Sequence, residues 1–213
     1  MPKTPTAPVP TRPRQRKTAE IYQLKVTLLE TDPPIWRRLL VPGDTTLARL
    51  DDVLQAAMGW TDAHTHLFTV ELGGAVVRYG EPDPEWDFEV YNEHRPRLHH
   101  IARQVGARFV YEYDLGDAWE HLVEVEKILP PTDSFPAATC TGGERACPPE
   151  DAGGVHGYYE KLAALRDPRH EEHESTKTWM ESAIGGPVDP DRFDIGATNA
   201  TLLRLSWLKK VRR

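Results

Sequence analysis

The chain has 213 residues, a formal net charge of −7 and 39% hydrophobic residues with six Trp and seven Tyr, the make-up of a soluble globular protein with room for one substantial core or at most two small ones. No run approaches the roughly 18 apolar residues of a membrane span, the Pro-rich basic start lacks the apolar stretch of a secretory signal, and two cysteines are too few for a disulfide scaffold. A cytoplasmic protein with no membrane partner is the expectation.

The charge is unevenly spread. Residues 1–19 carry Lys3, Arg12, Arg14, Arg16 and Lys17 with no acid, so the 26 bases less these five leave 21 against 33 acids, about −12 for the remainder. A body that acidic repels a phosphate backbone, which leaves the basic tails, 1–19 and 209–213, as the candidates for contact with nucleic acid. The tail at 1–19, with five prolines and almost no large apolar side chain, reads as disordered, and 20–208 as one folded domain.

Taken in order, Tyr22, Leu24, Val26 and Leu28 alternate with polar residues as in a half-buried strand, Asp32-Pro33-Pro34 stops it, and a second strand spans Ile35 to Val41. Asp44, Thr45 or Thr46 caps a helix with Leu47, Leu50, Val53, Leu54, Ala57 and Met58 on one face, and Gly59 ends it. His64, His66, Phe68, Val70 and Leu72 share one side of the next strand, which turns at Gly73-Gly74 into a return strand, Ala75 to Tyr79. Residues 80–96 read mostly as loop, with a short strand at Trp86 to Val90, and Leu98, Ile101, Ala102 and Val105 have helical spacing before Gly106.

The stretch YEYDLGDAWEH, Tyr111 to His121, reads as the turn end of a hairpin whose second strand runs to about Ile128. No convincing strand follows residue 130. A loop of about 24 residues holds both cysteines, and helices occupy Val155–Leu165, a segment from the cap-like Asp167-Pro168 to Ala183, and Ile195–Leu208. The fold class is α+β: an antiparallel sheet of about five to six strands built from hairpins, covered by helices, with a helical C-terminal third.

Candidate chemistry gathers at the strand ends. His64, His66 and His121, with Asp114 and Asp117, could converge on a metal of the zinc or manganese type; alternatively each imidazole is a core histidine satisfied by a carbonyl or carboxylate. Cys140 and Cys147 are separated by six intervening residues, and read as free thiols, as metal ligands completed by a hairpin residue, or as a disulfide. Glu150 and Asp151, beside Gly153-Gly154 at a helix start, could cap that helix or join Asp114 and Asp117 on a divalent cation for phosphoester hydrolysis. His170-Glu171-Glu172-His173 is one residue short of a zinc-protease motif, no P-loop or nucleophile-elbow pattern occurs, and every serine lies beyond residue 130.

The segments IYQLKVTLLETDPPIWRRLLVP, QAAMGW with HTHLF, YEYDLGDAWEH, CTGGERACPPEDAGG and FDIGATNATLLRL together resemble the plasmid pRiA4b ORF-3-like family over about Glu20 to Leu205. The resemblance implies an α+β fold, occurrence on plasmids and mobile elements as well as chromosomes, and no established activity. The TnpR-like label given to some members fits poorly, because serine recombination needs a nucleophilic serine among basic residues. The family often has a third cysteine at the position of Ala152, so zinc here would need histidine or carboxylate instead.

The expectation is therefore a cytoplasmic accessory or binding protein, supported by zinc or another divalent metal. The main alternative is a metal-dependent hydrolase or nuclease using Asp114, Asp117, His121 and Glu150; a second is a DNA-associated protein acting through its basic termini.

Overall fold

The computed structural model describes residues 19–132, 135 and 138–211, with side chains to residue 206. Residues 1–18 and 212–213, which hold all but one residue of the first basic tail and the last two of the second, lie outside the described residues. The strands are Ile21–Leu28 (β1), Ile35–Pro42 (β2), His66–Leu72 (β3), Ala75–Gly80 (β4), Tyr91–Asn92 (β5), Arg108–Tyr113 (β6), Trp119–Leu129 (β7) and Thr139–Glu144 (β8). The helices are Leu47–Met58 (α1), Leu98–Ile101 (α2), Gly154–Arg166 (α3), His173–Ile184 (α4) and Ile195–Val211 (α5).

The strands form a single eight-stranded sheet in the order β5-β4-β3-β6-β7-β1-β2-β8, antiparallel except where β5 joins β4 in parallel. The α+β class holds, as do the expected strand pairs β1–β2 and β3–β4, the hairpin β6–β7 and the helix α1, whereas the helical C-terminal third is matched only in part: β8 reaches Glu144 before α3, α4 and α5 follow from Gly154. The estimate of five to six strands falls short because β8 and β5 carry no alternating pattern. TCTGGE becomes a strand, contrary to the expectation of none beyond residue 130, because it pairs along β2 from Trp36↔Glu144 to Leu40↔Thr139. The short strand expected at Trp86 to Val90 is displaced to Tyr91–Asn92. The helix expected to reach Val105 ends at Ile101, and Asp167 closes α3 instead of starting α4.

One face of the sheet carries the core. Leu24, Val26, Leu28, Leu39, Phe68, Tyr111, Tyr113, Trp119, Val123 and Val125 are all buried there or in the cluster they belong to, with α1 packed across them. Helix α1 starts where the Thr46 hydroxyl accepts from the Arg49 amide at 3.3 Å, and stops at Gly59, whose φ of +100° suits a residue without Cβ.

Arg37 ties the layers together. Only 3% exposed, it gives Nε to the Ala57 carbonyl at 3.0 Å and Nη1 to the carbonyls of Trp36 (2.8 Å) and Glu144 (3.0 Å), while its guanidinium lies 4.3 Å from the Phe193 ring centroid. A cation at the carbonyl end of α1 is favoured by the helix dipole, and the same group pins β8 to β2. Burial lowers the Arg37 pKa from its ordinary value. Arg37→Leu strands these carbonyls, and urea denaturation should show a loss of about 2 to 4 kcal/mol; a loss within experimental error would remove Arg37 from this role.

Candidate functional site

Helix α1 delivers two polar residues to the core face. Asp51 and Gln55 stand one turn apart and both are buried. They are tolerated there because Tyr111, central in the sheet and fully buried, meets both: its hydroxyl donates to Asp51 Oδ1 at 2.6 Å and accepts from Gln55 Nε2 at 2.8 Å. Gln55 Oε1 in turn accepts the Asp62 amide at 3.1 Å, which holds the segment between α1 and β3 over the strand ends.

His66 opens β3 opposite Tyr113 and sits between two carboxylates. Its Nδ1 is 3.3 Å from Asp51 Oδ1, and its Nε2 is 2.8 Å from Oε2 of Glu93, which is 6% exposed. Burial drives the Asp51 carboxyl up to about 7, against the pull of His66 and the Tyr111 hydrogen bond. Burial opposes the His66 imidazolium, but the hydrogen bond to Glu93 and the charges of Asp51, Glu93 and Asp62 outweigh it, so His66 titrates above its ordinary value. With Nε2–H given to Glu93, a neutral His66 presents a lone pair from Nδ1 to an Asp51 oxygen. Two lone pairs at that separation require a proton or a cation between them. The carboxylate of Asp62, an exposed residue, completes a group in which ligand atoms of Asp51, Asp62 and His66 lie within 4.8 Å of one another.

A second group lies at the hairpin turn. His64 Nε2 is 3.2 Å from Asp151 Oδ1 and 3.6 Å from Asp114 Oδ2. Beside it, Glu150 accepts from the Thr61 amide (3.1 Å), the Thr61 hydroxyl (2.6 Å) and the Tyr113 hydroxyl. Burial would raise the Glu150 pKa, but these hydrogen bonds hold it below its ordinary value. The first group and His64 of the second line one cavity of about 550 Å³, whose lining includes Asp51, Asp52, Asp62, Glu81 and Glu93 but, of lysines and arginines among the described residues, Arg49 alone. Arg49 is engaged by Asp52 Oδ2 and the Leu205 carbonyl, each at 3.1 Å. The cavity is thus strongly negative.

The expected site residues divide among several places. His64 and Asp114 meet each other and Asp151; His66 meets Asp51, Asp62 and Glu93. Tyr111 stands between His66 and His121, its ring centroid 5.9 Å from one and 5.6 Å from the other. His121 is fully buried, donates Nδ1–H to the Tyr111 carbonyl at 3.2 Å and leaves Nε2 without a partner among the described residues; burial pulls its pKa down to about 4. The Asp117 carboxylate accepts the Gly153 amide at 3.0 Å, and Gly154 packs so closely on the Asp117 carbonyl that an added Cβ would stand 2.5 Å from it. Asp117 thereby fastens the start of α3 to the hairpin. Cys140 and Cys147 are free thiols, Cys140 in β8 and Cys147 with its pKa pushed up by burial to about 12. Among the described residues no metal-sized group contains a cysteine, Asp117, His121 or Glu150.

Asp51, Asp62 and Glu93 are absent from the sequence-based candidates. Asp51 did leave a trace, as an acid within the apolar face of α1; Glu93, in an irregular acidic segment, left none.

The model of the plasmid pRiA4b ORF-3-like protein family matches residues 20–197. The chain belongs to that family. It is similar to the uncharacterized protein y4hQ of Sinorhizobium fredii (strain NBRC 101917 / NGR234), with 38% identity over 200 residues, 92% of this chain and 98% of the relative. It is also similar to the crystal structure of a protein of unknown function, MM3350 from Methanosarcina mazei Go1: 36% identity, a TM-score of 0.74, and coverage of 84% of this chain and 97% of that one. Among the described residues no helix is long and apolar enough to cross a membrane.

The raised Asp51 pKa has a stability consequence in metal-free protein. Folded Asp51 keeps its proton to about 7, whereas an unfolded Asp releases it near 4, so the stabilisation is complete below that lower value and is lost as pH rises through the upper one. Asp51→Asn should therefore gain stability relative to wild type as pH rises across this window, by roughly 1 kcal/mol per unit. His121 has the opposite sign, its depressed pKa destabilising the fold as pH falls towards 4, but it is common to both proteins. Denaturation curves from pH 4 to 8 check this, and parallel stabilities would contradict it.

Proposed function

We propose that the protein binds a divalent cation through Asp51, Asp62 and Nδ1 of His66, as the support of a cytoplasmic binding or accessory role. The observation that carries the reading is the two-sided engagement of His66: Nδ1 faces the Asp51 carboxylate while Nε2 reaches Glu93 at 2.8 Å. Metal-bound histidines characteristically give their second nitrogen to a carboxylate, which fixes the tautomer and makes the ligating nitrogen more basic. Two carboxylates and one imidazole suit manganese, iron or zinc, and three protein ligands leave positions open towards the cavity. The surplus of acids there adds support, since a dication offsets charge that Arg49, already committed to Asp52, does not.

Hydrolysis through Asp114, Asp117, His121 and Glu150 has less support. Asp117 and Glu150 are occupied with backbone and hydroxyl donors, and the strongly negative cavity disfavours a phosphoester. The two free cysteines accord with a reducing compartment.

Calorimetric titration of chelator-treated protein with Mn²⁺ or Zn²⁺ tests the reading. One ion per chain is expected, with affinity rising from pH 6 to 8 as the proton shared by Asp51 and His66 is displaced. His66→Gln and Asp51→Asn should each weaken binding by more than the roughly 10- to 100-fold that loss of an outer partner costs, while Asp114→Asn, in the other group, leaves it unchanged. No saturable binding, or loss only in Asp114→Asn, would reject this site.

A further inference from the structure

Residues 81–97 form one wall of the cavity, contributing Glu81, Trp86, Glu93 and His94. The segment is fastened at its ends. Tyr91 and Asn92 of the segment, as β5, pair with Tyr79 and Gly80 of the preceding β4, and Gly80 sits so near the His66 carbonyl that an added Cβ would be 3.0 Å away. At its far end, the Glu93 and Pro96 carbonyls accept the Ala48 and Leu47 amides at 3.3 and 3.1 Å, and Arg97 bridges to Thr46. Between these points the chain is mostly exposed, with Trp86 and Phe88 against each other at 5.4 Å and Arg78 4.8 Å over the Phe88 ring.

Within 81–97 the single buried residue is Glu93. A surface segment is ordinarily anchored by an apolar side chain; this one is anchored by a carboxylate, whose side-chain partner is Nε2 of His66. The other nitrogen of the same ring faces Asp51 and the cavity. The imidazole is therefore the mechanical link between the wall and the proposed cation site.

We propose that residues 81–97 are a strap whose closure is coupled to cation binding at His66. The inference rests on the cation reading above. An ion at Nδ1 withdraws charge from the ring, makes Nε2–H a stronger donor and tightens its hold on Glu93, so that the strap closes over the cavity. By linkage, whatever closes the strap raises the affinity for the ion by the same factor, so a molecule entering the cavity and touching Trp86 also strengthens ion binding. Glu93 is a positioning residue in this arrangement.

Hydrogen exchange of the full chain with and without saturating Mn²⁺, beside a calorimetric titration, tests the coupling. In wild type the ion should slow exchange within 81–97 several-fold. Glu93→Gln, which keeps an acceptor for Nε2–H but removes the charge, should bind Mn²⁺ about 10- to 100-fold more weakly and, once saturated, show much less slowing. Trp86→Ala, which loosens the strap without touching His66, should lower Mn²⁺ affinity by a smaller factor. Mn²⁺ binding to wild type with unchanged exchange in 81–97, or equal slowing in Glu93→Gln, would overturn the strap while leaving the cation site standing. No binding to wild type would overturn both.

Discussion

The hydroxyl of Tyr111 is the contact on which the rest of the site depends. It lies in the middle of the sheet, between Phe68 on β3 and His121 on β7, and no water reaches it. Its hydrogen must go somewhere, and it goes to Asp51; its lone pair is met by Gln55. Such a buried hydrogen bond contributes about 0.5 to 1.5 kcal/mol while Asp51 holds its proton and about 1.5 to 3 kcal/mol once Asp51 is ionised, and more is lost if one partner is left alone. This bond therefore sets the rotation and height of α1 on the sheet. It also places the Asp51 carboxylate against the first residue of β3, His66, which could not otherwise have a buried acid on one side and Glu93 on the other.

The outcome is a region that weakens the fold where it concentrates charge. Asp51 is held largely away from water with its pKa displaced to about 7, and the neighbouring cavity is lined by further acids. Hydrophobic packing of Trp60 on Tyr113, with ring centroids 4.8 Å apart, and the clamp of Arg37 on α1 and β8 lie close by and offset the cost. The hairpin turn has a different character. Asp117 is engaged in holding the start of α3, and Glu150 in holding Thr61 and Tyr113, so these acids beside the turn build the frame and those on α1 and the strap face the cavity.

Much of the frame was legible because it is written in periodicity. The alternation from Tyr22 to Leu28, the face of α1 and the glycine at 59 each correspond to a local preference that the tertiary structure reinforces. Strand β8 was not legible, since TCTGGE has two glycines and no alternation; its conformation comes from pairing with β2 and from Arg37, both distant in sequence. For the site, histidines on the apolar side of a strand pointed to His64 and His66, and an Asp-rich turn to Asp114. The partners of His66 were hidden for physical reasons. Asp51 stands out as an acid on the apolar face of α1, but its partner is hidden until Tyr111 is known to face it, and Glu93 is one of several acids in an irregular segment, distinguished only by burial.

Nitrogen NMR of the imidazole rings during Zn²⁺ titration tests the central claim most directly, because it reads the two nitrogens of His66 separately. If the ion binds as described, Nδ1 of His66 takes on the shift of a metal-bound nitrogen, Nε2 remains protonated and bonded to Glu93, and His121 does not move. A His66 ring unaltered by saturating Zn²⁺, or one bound through Nε2 with the link to Glu93 lost, would contradict it.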